Sequence, residues 1–242
     1  VPTREAKTRS FSVHFAPAVS RSLACCAWCS QMASTQRRGS ARDLRDFRAL
    51  HRPDDLGRVS QVSFRLSELN AIMCDVMNET DVLKVLDALE GADLTAWVDG
   101  GWGIDALIGQ ATREHSDLDL VILLPQVEAV RMVLGRLGYD RLLRDWLPVA
   151  IAVADARGRE IDLHPITPAP DGGGTQAQPD GSSFYYPPPV RGMIKGRPVS
   201  CADALTQVRC HLGYQPSEKD HQDMRRLHAA TGVELPAPFQ PR

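Results

Sequence analysis

The stretch WVDGGWGIDALIGQATREHSDLD, residues 97–119, decides the fold. A glycine pair, Gly100-Gly101, precedes two aspartates, Asp117 and Asp119, that a single leucine separates. Thr95–Asp99 reads as a short apolar strand. Ile104, Leu107 and Ile108 then recur at helical spacing until Gly109, a natural helix stop. Leu118–Leu124 is a strongly apolar strand that Pro125 ends. Side chains at i and i+2 of a strand leave the same face, so Asp117 and Asp119 point one way while Leu118, Leu120 and Ile122 point into the core. Their Cα atoms lie roughly 6–7 Å apart. Two carboxylates that close repel each other unless a cation lies between them. A hard divalent ion, most naturally Mg²⁺, fits such an oxygen-only pair. The plainer alternative is a strand end with two solvated acids.

A third acid adds to the pair. Glu160-Ile-Asp-Leu-His164 alternates in the same way, with Asp162 and His164 on the face opposite Ile161 and Leu163. On a neighbouring strand Asp162 would complete a metal site or take a proton from an attacking hydroxyl. His164 reads either as a further ligand or as a hydrogen-bonded structural residue before Pro165. A Gly-Gly turn opening a helix exposes backbone N–H groups and lets an anion approach with no Cβ in the way, and the helix dipole favours the negative charge. Taken with the acids, the glycines suggest a nucleoside triphosphate, with Gly100 and Gly101 on its phosphates and Mg²⁺ bridging to Asp117 and Asp119. Arg113 and His115 lie between the two blocks. Arg113 reads equally well as a phosphate contact or a surface ion pair.

The rest of the chain frames this block. Of 242 residues, 43% are hydrophobic and 24% charged, which is ordinary for a globular protein, and the net charge of −2 gives no basic surface for nucleic acid. No apolar run approaches the roughly 20 residues of a membrane helix. The average conceals two kinds of sequence. Residues 1–66 carry 12 Lys and Arg against 5 Asp and Glu, whereas residues 67–242 carry 16 against 25. The first part has no clean periodicity and reads as a disordered or loosely helical extension, translated from a start upstream of a domain that begins near Met77. The six cysteines include Cys26-Ala-Trp-Cys29, but no second ligand pair accompanies it, and reduced thiols in the cytoplasm are the expectation.

Beyond Met77, helices are expected over about residues 80–90 with Thr80 as cap, over Val127–Leu137, from the Ser200/Asp203 pair to about His211, and from Pro216-Ser217 with Met224 and Leu227 inward. Val149–Ala154 and Glu160–Ile166 read as a hairpin across Asp155–Gly158. Residues 168–190 read as a long loop in which Phe184, Tyr185 and Tyr186 either wall a ligand or pin the loop. The fold class is α+β (α/β mixed sheet), divided as an extension at 1–76, a catalytic domain at 77–190 and a helical C-terminal part at 191–242. Glu218 and Asp220 suit a helix start, while Asp223, one turn further, is a candidate to reach the cleft.

Gly100-Gly101-Trp102, Asp117-Leu118-Asp119 and Asp162 together resemble the core of the DNA polymerase β-type nucleotidyltransferase superfamily. More finely, WVDGGWGIDAL, TREHSDLDL, EIDLHPI, the TQAQPDG loop and HLGYQPSEKDHQDM resemble small single-chain lincosamide nucleotidyltransferases. Aminoglycoside 2″-nucleotidyltransferases are similar over the first two blocks. The resemblance spans about residues 79–235. It implies transfer of AMP from ATP to a hydroxyl of lincomycin or clindamycin. It also implies Asp117, Asp119 and Asp162 as Mg²⁺ ligands, Asp162 as general base, and Gly100, Gly101, Arg113 and His115 around the nucleotide. The implied partners are a nucleoside triphosphate and a small-molecule antibiotic, with no nucleic acid and no membrane, and a C₂ homodimer is the base-rate expectation. The alternative acceptors are an aminoglycoside, another small alcohol or a protein side chain. A different class, hydrolysis on a softer metal held by His115, Asp117, Asp119 and His164, would show as tightly bound zinc or iron without ATP dependence.

Overall fold

The computed structural model describes residues 76–240, and the expectations for the extension and for Cys26–Cys29 lie outside the described residues. Helix α1 (Glu79–Glu90) opens two residues earlier than the Thr80 cap implies. Asn78 is the cap, accepting from the backbone of Thr80 and Asp81, and Asp81 returns a bond to the Asn78 backbone. Strand β1 (Ala96–Asp99) runs directly into helix α2 (Gly100–Ile108), so the glycine pair is the first residues of the helix rather than a separate turn. Gly100 sits at φ 57°, left-handed backbone that suits glycine, and Gly109 closes the helix at φ 87°. Strand β2 (Asp117–Leu123) and helix α3 (Val127–Arg136) follow.

Three differences from the sequence reading concern short strands. Arg141–Trp146 forms strand β3, an edge strand paired with β4 (Ala150–Ala154), which pairs in turn with β5 (Glu160–Pro168). The expected loop 168–190 contains a hairpin, β6 (Gly174–Ala177) and β7 (Ser183–Tyr186), that extends from the end of β5. The next segment is another hairpin, β8 (Val190–Ile194) and β9 (Arg197–Cys201), rather than the start of a helical part. It turns on Lys195 and Gly196, both at positive φ, and β9 pairs with β1, so the sheet continues past residue 190. Ser200 therefore belongs to a strand, and helix α4 (Ala204–Cys210) is capped by Asp203 alone. Helix α5 (Glu218–Thr231) begins as expected, with Ser217 and Asp220 in a reciprocal cap and Met224 and Leu227 buried.

The sheet order is β3-β4-β5-β2-β1-β9-β8. One face packs Leu118, Leu120, Ile122, Ile161 and Leu163 against α1 and α3 through Val82, Val85, Val130 and Leu134. Each such fully buried aliphatic contributes about 1.5–3 kcal/mol. The other face packs Trp97, Val121 and Ile166 against Phe184 and Tyr186 of the β7 strand. A third cluster joins Ile104 of α2 to Val208, Met224 and Leu227. No helix among the described residues is long and apolar enough to cross a membrane. Cys201 and Cys210 are buried, and burial, with the charges of Asp99 and Asp203, pushes the Cys201 thiol up to about 12. Such a thiol stays protonated and is a packing residue rather than a nucleophile.

Candidate active site

Strand register assembles the site. β2 and β5 are parallel, and Asp119 stands directly beside Asp162, as Asp117 stands beside Glu160. On the other side β1 is antiparallel to β2, and Asp99 stands beside Asp119. Registered residues on neighbouring strands share a face and lie about 4.8 Å apart. A transverse row therefore crosses five strands: Arg144, Ala152, Asp162, Asp119, Asp99. All three acids expected from the sequence are in one place, and their apolar neighbours Leu118, Leu120, Ile161 and Leu163 are buried on the opposite face.

Each acid has a different environment. Asp119 keeps its side chain about a quarter exposed (26%) and meets the His164 ring, with Nε2 3.3 Å from Oδ1. Its carboxyl is held above the usual range by burial, with the charges of Asp117 and Asp162 adding to the shift against the hydrogen bond from His164. Asp162 is buried, and the Arg144 guanidinium binds its Oδ1 while reaching Glu160 Oε1 at 2.8 Å. Asp99 is buried and accepts a hydrogen bond from Tyr186 Oη at 3.0 Å.

The glycines fit the acids sterically. A Cβ on Gly100 would overlap Asp119 Oδ2, so the start of α2 lies against that carboxylate. A Cβ on Gly101 would stand 2.5 Å from Arg113 Nη2 and 2.6 Å from His115 Nδ1. No side chain caps α2, because Asp99 makes no cap bond. The first N–H groups of a helix have no partner inside it, and those of α2 receive no cap from Asp99. Arg113 is held from α5: its Nε and Nη2 lie 3.0 and 2.9 Å from Asp223 Oδ2. The ion pair weighed for Arg113 is present, and it sets the guanidinium against the Gly101 turn. His115 lies beside the same glycine and is itself buried. It is 3% exposed, stacks on Trp102 at 4.5 Å, and its Nε2 lies 2.6 Å from Asp105. Asp105 also accepts from Thr112 Oγ1 and N, and although burial pushes its carboxyl up, the His115 and Thr112 bonds outweigh that and hold it low. Only the Nδ1 edge of His115 faces the turn.

Of the aromatics in residues 168–190, Phe184 and Tyr186 are buried and pin the hairpin to the sheet, whereas Tyr185 is partly exposed and donates to Asp171. Residues that the sequence reading missed are Arg144, Asp99, Asp105 and Gln176. Arg144 lies in a segment without clear periodicity, and its proximity to Asp162 depends on the register of β4 between them.

The donor set suits a hard cation. Asp117 and Asp119 are both incompletely buried, supply only oxygen, and are crowded by like charge that a cation would relieve. Among the described residues no group of three His, Cys, Asp or Glu side chains is placed to hold a metal ion, and Asp162, expected as a third ligand, is engaged by Arg144. Two carboxylates completed by phosphate oxygens are the usual arrangement for Mg²⁺ rather than an all-protein cage.

Comparison with known proteins gives the family. A family model described as aminoglycoside-2″-adenylyltransferase matches residues 81–227. The chain belongs to that family. This nucleotidyltransferase is 31% identical over 157 residues to a lincosamide resistance protein of Staphylococcus haemolyticus, covering 64% of this chain and 97% of the relative. It is 32% identical over 130 residues to a 2″-aminoglycoside nucleotidyltransferase of Escherichia coli, covering 52% of this chain and 68% of that one. Among solved structures, the lincomycin-bound lincosamide antibiotic adenylyltransferase LnuA superposes with a TM-score of 0.59 at 31% identity, over 65% of this chain and 100% of LnuA. ANT(2″)-Ia in complex with adenylyl-2″-tobramycin shares the fold, with a TM-score of 0.51 at 22% identity, over 63% of this chain and 88% of that one.

Proposed function

We propose that this nucleotidyltransferase transfers AMP from ATP to a hydroxyl of a lincosamide such as lincomycin or clindamycin. The observation that carries the reading is the placing of Asp117, Asp119 and Asp162 on one sheet face, set against an α2 N-terminus that Asp99 does not cap. The match to the lincosamide relative over 97% of its length supports the acceptor class.

In this reading Gly100 and Gly101 offer backbone N–H groups to the triphosphate, with Arg113 beside them. Asp117 and Asp119 would hold Mg²⁺, which when bound neutralises charge on the phosphate oxygens. Asp162 takes the proton of the acceptor hydroxyl at Oδ2, its Oδ1 being held by Arg144. The hydroxyl oxygen bonds to the α-phosphorus, the bond from that phosphorus to the bridging oxygen breaks, and pyrophosphate leaves. Positioning and charge neutralisation supply most of the rate, as in phosphoryl transfer generally. The cytoplasm, where ATP is available, is the compartment this chemistry requires.

An acceptor panel with ATP and Mg²⁺ tests the assignment. A lincosamide should gain about 329 Da, the mass of an added AMP group. Asp117→Asn should abolish the adduct and leave the far-ultraviolet circular dichroism unchanged. No adduct with any lincosamide would reject the acceptor, and an adduct on an aminoglycoside alone would move it to the other branch of the family.

A further inference from the structure

Behind Asp119 lies a chain of buried groups with a fixed direction. Gln176, on β6, is fully buried, and its Nε2 lies 2.8 Å from the Val149 carbonyl oxygen and 3.2 Å from His164 Nδ1. His164 is 1% exposed, and its Nε2 lies 3.3 Å from Asp119 Oδ1. The Val149 carbonyl can only accept, so the amide nitrogen of Gln176, not its oxygen, must face it. The second hydrogen on that nitrogen then points at His164 Nδ1, which must present a lone pair. The proton of a neutral imidazole accordingly sits on Nε2, where it is donated to Asp119 Oδ1. Asp119 Oδ2 remains against the Gly100 turn.

We propose that Gln176 is a positioning residue of the transfer site: by locking His164 as the Nε2–H tautomer it orients the Asp119 carboxylate, so the β6–β7 hairpin controls how a cation ligand is held. The proposal rests on the reading of Asp119 as that ligand. Partners behind a first ligand commonly change metal affinity or activity by about 10–100-fold when removed.

The test uses the full chain. Long-range ¹H–¹⁵N correlation spectra of metal-free, ¹⁵N-histidine-labelled protein, with His164→Gln for assignment, should show His164 as neutral Nε2–H. Binding of Mn²⁺ in the presence of a non-hydrolysable ATP analogue, read by water-proton relaxation, should weaken about tenfold in Gln176→Leu. His164→Gln can still donate an amide N–H to Asp119, so it should bind Mn²⁺ within about threefold of wild type. Adding Gln176→Leu to it should cost nothing more. A wild-type His164 carrying its proton on Nδ1 overturns the proposal without any variant having to fold. So does unchanged Mn²⁺ affinity in Gln176→Leu while Asp119→Asn loses it. Unchanged affinity in Asp119→Asn itself would reject the ligand reading instead, and the proposal with it.

Discussion

At the scale of single residues, the acids of the site repel one another, and a bound cation would relieve them. Asp119 is the clearest case, because burial and the neighbouring charges of Asp117 and Asp162 raise its carboxyl above the ordinary value. For a carboxyl with a raised folded-state pKa, ionisation costs the fold. The cost is absent below the unfolded value of about 3.9 and grows as the pH rises through the folded value. Metal-free Asp119→Asn should therefore melt above wild type at pH 7–8, with each kcal/mol relieved reading as about 2–4 °C. The gap should close as the pH falls towards about 4. Adding Mg²⁺ with an ATP analogue should raise the wild-type melting temperature and leave the variant almost unmoved. A variant less stable than wild type at pH 8 without metal would contradict this account.

At the scale of elements, α5 reaches the site through Asp223. Asp223 is buried and holds Arg113, whose side chain is 19% exposed, against the first turn of α2. Breaking a fully buried pair costs about 3–5 kcal/mol, and partial exposure of the guanidinium reduces this to about 1–3 kcal/mol. Asp223→Asn should lower the unfolding free energy measured in urea by that amount and raise KM for ATP several-fold while changing KM for the acceptor little. An unchanged KM for ATP would make the contact purely structural. Elements also divide what was legible in advance from what was not. β2 and β5 could be read because acids alternate with Leu and Ile on long, half-buried strands, and α5 because Ser217 and Asp220 cap it. β3 was not, since five of its six residues are exposed and its apolar side chains follow no period. The β6–β7 strands are only four residues each, amid Gly, Pro and Asp, a composition that reads as loop. Ser200 imitated a cap because local spacing cannot tell a helix start from the end of β9. Arg144 and Gln176 reach the site through tertiary register, for which a single sequence holds no local signal.

At the scale of the whole molecule, charge and family likeness favour different acceptors. Residues 67–242 carry nine more acidic than basic side chains, and the site gathers three of these acids, Asp117, Asp119 and Asp162, on one face. That field attracts any polycation whether or not it fits the cleft. It extends about 30 Å at 0.01 M salt but only about 8 Å at 0.15 M. An aminoglycoside, with several ammonium groups, should therefore bind and inhibit at low ionic strength, and the inhibition should fade steeply with added salt. A lincosamide, with one basic amine, depends on close contact, so its kcat/KM should change less than about threefold over the same range. Initial rates of pyrophosphate release, measured from about 0.01 to 0.5 M salt with each drug alone and with both together, separate attraction from turnover. Aminoglycoside inhibition without an AMP adduct, lost on adding salt, would mark those drugs as electrostatic visitors to a lincosamide site. Aminoglycoside turnover that survives high salt would show that close contacts, not the long-range field, hold the polycation, and would place it among the true acceptors.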